Sequence, residues 1–202
     1  MAIGLPNALT LSRIAAIPVI VLLVEIGAQT CDILASLVFC AAAITDYFDG
    51  KLARTRRIES ELGKMLDPIA DKLLVAAVIM SLVGDMRISH YTLYPAMVII
   101  LREILVSGLR EYLAKARIGL PVTYLAKWKT GFQMTALALM LAGTPKIPLL
   151  GLDALPLMTL GQGLLWVSAC LTVVTGWTYL REGWSHTSRD LGRPSATYTN
   201  RR

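Results

Sequence analysis

Six apolar runs, near residues 8–27, 32–54, 63–84, 93–114, 123–143 and 159–181, set the terms on which this chain can fold. Each approaches the twenty or so apolar residues that a helix needs to cross a bilayer, and each is too long for a strand. With 55% hydrophobic residues and a mean hydropathy of +0.58, the chain is not an ordinary soluble domain. The expectation is therefore all-α: a polytopic membrane bundle of six transmembrane helices, opening on a short interfacial segment at Leu5-Pro6-Asn7 where Pro6 suits a helix start. Residues 1–184 read as one domain without repeats. The tail, 185–202, is polar and basic and is expected to be disordered near anionic headgroups. Met1 to Thr10 holds no basic residue and no small-residue cleavage site follows, so the first run should remain as a helix.

Basic residues give the orientation. With the N-terminus inside, Lys51, Arg54, Arg56, Arg57 and Lys64 fall in the first inner segment, and Arg110, Lys115, Arg117, Lys127 and Lys129 in the second. Arg181, Arg189, Arg193, Arg201 and Arg202 follow at the C-terminal end, leaving only Arg87 and Lys146 outside. That asymmetry places both termini on the cytoplasmic side of a cell's inner membrane. The net charge of +6 then reflects topology and attraction to anionic lipid, and no aromatic-interleaved basic platform points to nucleic acid. Cys31, Cys40 and Cys170 have neither metal-ligand spacing nor a complete disulfide framework, and His90 and His186 lack catalytic partners.

Four acids break the apolar pattern where ionised groups are costly. They stand as Asp46-x-x-Asp49-Gly50-x-x-Ala53-Arg54, eight residues, then Gly63-x-x-x-Asp67-x-x-x-Asp71. Residues three or four apart share a helix face, so each pair projects together. The short polar segment between them sets the second and third helices antiparallel and side by side, with the cluster at one end. Mg²⁺ or Mn²⁺ would relieve the repulsion, and two such ions bridged by carboxylates suit in-line phosphoryl displacement; the active site then lies on the cytoplasmic side. Gly50, Ala53 and Gly63 leave room for a ligand, and Arg54 offers donors to phosphate oxygens. Any one acid alone is accountable as a polar residue at a helix end, and Asp71 beside Lys72 as an ion pair. The whole set at fixed offsets is not.

This string resembles the signature of the CDP-alcohol phosphotransferases at every specified position. The resemblance implies an integral membrane enzyme, commonly a homodimer, that transfers a phosphatidyl or similar group from a CDP-linked donor to an alcohol and releases CMP. It further implies that Asp46, Asp49 and Asp67 are metal ligands, that Asp71 is ligand and base, and that Gly50, Ala53, Arg54 and Gly63 lie against the CDP moiety. A divalent-cation transporter is the alternative from another class, but it calls for acids spread through the membrane depth.

The fourth run carries Arg102-Glu103, Ser107 and Arg110-Glu111; the fifth opens with Lys127, Lys129, Thr130 and Gln133. Charges so deep must face the bundle interior, either as a purely structural Arg–Glu network or as a site. Arg110 and Lys129, with Arg102, would suit an acceptor that itself bears a phosphate. Asn7, Thr10 and Arg13, at spacing three, are either an interfacial anchor or, with Thr130 and Gln133, part of a substrate cavity. These residues together resemble the bacterial phosphatidylglycerophosphate synthases up to about residue 134, except that Ala126 stands where glycine is common there. The substrates so implied are CDP-diacylglycerol and sn-glycerol 3-phosphate, with inositol phosphate, serine or phosphatidylglycerol as alternative acceptors. Pro18 is expected to kink the first helix, Asp85 and Arg87 to form a solvated loop, and the last helix to carry no motif.

Overall fold

A backbone in apolar surroundings satisfies its polar groups by closing helical hydrogen bonds, and each of the six runs does so. The computed structural model describes the backbone of residues 5–56, 61–115, 124–144 and 156–191, and the side chains of 10–45, 66–114, 124–144 and 156–181. Among these the chain forms α1 (Leu5–Ile26), α2 (Gln29–Arg56), α3 (Glu61–Gly84), a 3-10 turn at His90–Thr92, α4 (Leu93–Lys115), α5 (Tyr124–Ala142) and α6 (Leu157–Leu191), with no strand. α1 stays continuous through Pro18. Among the described residues, two helical segments, His90–Ala114 and Leu157–Arg181, are long and apolar enough to cross a membrane. Each buries only 28% of its apolar window within the protein, so most of its apolar surface faces outward. Leu101, Ile104, Val173, Val174 and Trp177 are all more than half exposed, an outer surface that suits lipid rather than water.

α6 runs through Leu191, so the first seven residues of the 185–202 segment are helical. Polar residues such as Ser185, Ser188, Arg189 and Asp190 do not break a helix by themselves. Residues 192–202 lie outside the described residues.

The helices pack in two groups. α1 packs against both α2 and α3, while α6 packs against both α4 and α5, and the α2–α5 contact joins the groups. α1 supplies Ile20 and Val24 to the core beside Phe39 of α2 and Leu74 and Val78 of α3. At the end where α2 begins and α3 and α5 finish, Arg87 corrects a second expectation. Met86 takes φ +58° and turns the chain back. Arg87 then bridges Asp32 at 2.7 Å, also pairs with Asp85, and donates to the carbonyl oxygens of Met140 (3.2 Å) and Leu141 (2.7 Å). These carbonyls belong to the last turn of α5, whose acceptors have no helical partner. Gly143 follows at φ +68°, and a Cβ there would stand 3.2 Å from the Arg87 guanidinium. Arg87 is thus a clamp and no solvated loop residue.

Candidate active site between α3, α4, α5 and α6

The motif helices share an end. Asp46 and Asp49 lie 10 and 7 residues before the end of α2, and Asp67 and Asp71 lie 6 and 10 residues after the start of α3. At about 1.5 Å per residue, both pairs fall in one layer roughly 9–15 Å from that end. Asp46, Asp49, Gly50, Ala53, Arg54 and Gly63 are on helical backbone, with side chains outside the described residues, as is that of Asn7. Asp67 is exposed and Asp71 half-buried, one turn apart on α3. Thr10, buried on α1, donates its hydroxyl proton to Asp67 Oδ1. α1 therefore holds one of the motif acids in place, as outer partners orient metal ligands. The motif offers carboxylate oxygens, a donor set that fits a hard divalent ion. Arg13, one turn further along α1, is also buried.

The cationic residues gather on the neighbouring helices. Lys129 on α5, only 4% exposed, donates to Glu103 Oε1 on α4, and the Arg102 guanidinium stands 3.9 Å from the same oxygen. Arg102 also donates to Thr175 Oγ1 on α6 at 2.9 Å. Its side chain crosses α6 at Gly176, where a Cβ would come within 3.2 Å of it, a tight approach that glycine relieves. Arg110 is exposed; it donates to the Tyr179 hydroxyl at 3.2 Å, and its guanidinium lies 5.3 Å from the ring centroid. α3, which carries Asp67 and Asp71, packs against both α4 and α5.

Gln133 is buried beside Lys129 on α5, and its Oε1 has no protein partner. Arg102 Nε and Thr172 Oγ1 are likewise buried without one. Such atoms are costly unless water or a ligand meets them, which marks this interior as a place for a polar guest. Thr130 does not join them: it is exposed, and its hydroxyl returns to the carbonyl of Ala126 at 3.1 Å. α6, expected to carry no motif, supplies Thr175, Gly176 and Tyr179. Its signal was a polar stripe at helical spacing, Ser168, Thr172, Thr175 and Tyr179, all buried within an otherwise apolar span.

Residues 3–174 match the CDP-alcohol phosphatidyltransferase family. A Rickettsia bellii protein named CDP-diacylglycerol–glycerol-3-phosphate 3-phosphatidyltransferase is 45% identical over 178 residues, 88% of this chain and 94% of its own length. A Cereibacter sphaeroides protein of the same name is 37% identical, covering 89% of this chain and 95% of its own length. A rice protein named cardiolipin synthase (CMP-forming) is 38% identical over 89% of this chain and 57% of its own length.

Proposed function

The chain belongs to the CDP-alcohol phosphatidyltransferase family, and from that premise we propose that it transfers the phosphatidyl group of CDP-diacylglycerol to sn-glycerol 3-phosphate, giving phosphatidylglycerophosphate and CMP. The carrying observation is the Lys129–Glu103–Arg102 cluster on α4 and α5, both of which pack against α3, the helix of Asp67 and Asp71. Proteins of the family generally use divalent metal ions. Asp46, Asp49, Asp67 and Asp71 would hold two, Mg²⁺ or Mn²⁺. When bound, such ions neutralise the diphosphate and the leaving CMP.

This chain's own residues do the rest. Gly50, Ala53, Arg54 and Gly63 would receive the cytidine diphosphate, while the acyl chains stay between helices in the bilayer. Arg110, Arg102 and Lys129 would hold the acceptor's phosphate, with Lys129 held in place by Glu103. Asp71 would take the proton of the free primary hydroxyl as its oxygen attacks the phosphorus that bears the diacylglycerol. The new P–O bond forms as the bond to CMP breaks. Six spans, cytoplasmic termini, an inner-membrane setting and a homodimer complete the proposal; the apolar outer faces and the inward bias of Lys and Arg support the first two.

A second reading, transfer to phosphatidylglycerol, draws on the rice relative's name. Purified protein supplied with CDP-diacylglycerol, Mg²⁺ and, in turn, sn-glycerol 3-phosphate, inositol phosphate, serine or phosphatidylglycerol separates them. CMP release with glycerol 3-phosphate alone is expected, and release only with another alcohol overturns the assignment.

A further inference from the structure

We infer that Tyr179 is a positioning residue for the acceptor, its ring and hydroxyl holding Arg102 and Arg110 where a phosphate can bridge them; this deepens the proposed function and rests on it. Arg102 and Arg110 lie eight residues apart on α4, about 12 Å along the axis. Left to themselves, two like charges would diverge. Instead both guanidiniums lie against one ring, at 5.7 and 5.3 Å from its centroid. The ring's negative face offsets part of that repulsion. An anion between the two forks would offset the rest.

Packing alone does not account for this residue. Tyr179 is 3% exposed on an apolar helix, where phenylalanine or leucine would fill space without a buried hydroxyl. The hydroxyl accepts a hydrogen bond from Arg110 at 3.2 Å. Gly176, three residues earlier, independently supports the assignment: it clears the path by which Arg102 crosses α6 toward the same ring. α6 thus supplies both the support and the access for cations that belong to α4.

Steady-state kinetics on Tyr179→Phe and Tyr179→Leu, alone and with Arg110→Ala, test the inference. Phenylalanine keeps the ring and loses the hydroxyl, so the KM for sn-glycerol 3-phosphate should rise about 5-fold, with that for CDP-diacylglycerol within about twofold. Leucine also removes the ring, and the acceptor KM should rise about 20-fold or more. In the Arg110→Ala background the phenylalanine step should disappear. Equal rises for both substrates, a fall in kcat alone, or a step that persists without Arg110 would each overturn the inference. If the leucine variant does not fold, the phenylalanine step and its loss in that background decide the matter. A wild-type protein that uses only a phosphate-free alcohol overturns the proposed function and this inference together. One that prefers a different phosphate-bearing alcohol overturns only the former, and the variants are then read against that acceptor's KM.

Discussion

The bundle has two polar knots, and they spend their charges differently. At the Arg87 end, one guanidinium meets Asp32, Asp85 and two helix-end carbonyls, so the charge is consumed in joining α2, α3 and α5. At the other end, Glu103 serves both Lys129 and Arg102, and Arg110 rests on a phenol ring. The motif acids belong to α2 and α3. A knot that only holds helices together closes on itself. On the proposed reading the motif acids would be left for metal, and Arg102, Arg110 and Lys129 on α4 and α5 for an anionic substrate.

Substitutions can break that contrast, and the largest effect should fall on the acids. Asp71→Asn should lower the rate of CMP release by about 10²- to 10⁴-fold while leaving the protein folded; substantial residual turnover would remove Asp71 from the role of base. Arg110→Ala comes next: it should raise the KM for glycerol 3-phosphate about 10- to 100-fold with little change for the lipid donor, and an equal change in both would refute a selective acceptor contact. Thr10→Val loses the donor to Asp67 and should raise the Mg²⁺ concentration for half-maximal activity about 10-fold, measured by titration. Arg87→Met should have the smallest effect on turnover. It strands Asp32 and should cost about 3 kcal/mol of stability in thermal unfolding, with both KM values unchanged in the folded fraction.

The fold was largely legible because length and apolarity decide helices in such a chain: the ends of α1 to α5 lie within about three residues of the runs that forecast them. α6 is longer than the run that forecast it because polar residues alone do not end a helix. The Asp motif was legible from spacing along single helices. Contacts between helices were not. Nothing local in Asp85-Met86-Arg87 announces that Arg87 will reach Asp32, 55 positions earlier, and the last turn of α5, 53 or more positions later. Nor does the spacing within α2 and α3 reveal that α1 will pack against both. Gln133 and Lys129 were expected on one interior face and are both buried; Thr130, their neighbour, is turned outward by the same helical period.

Calorimetric binding of CDP to the purified protein tests the separation of acids from bases most directly. Binding should require Mg²⁺ or Mn²⁺, vanish with a chelator, and survive Arg110→Ala with its affinity unchanged. Undiminished binding in chelator, or its loss on removing Arg110, would contradict the account.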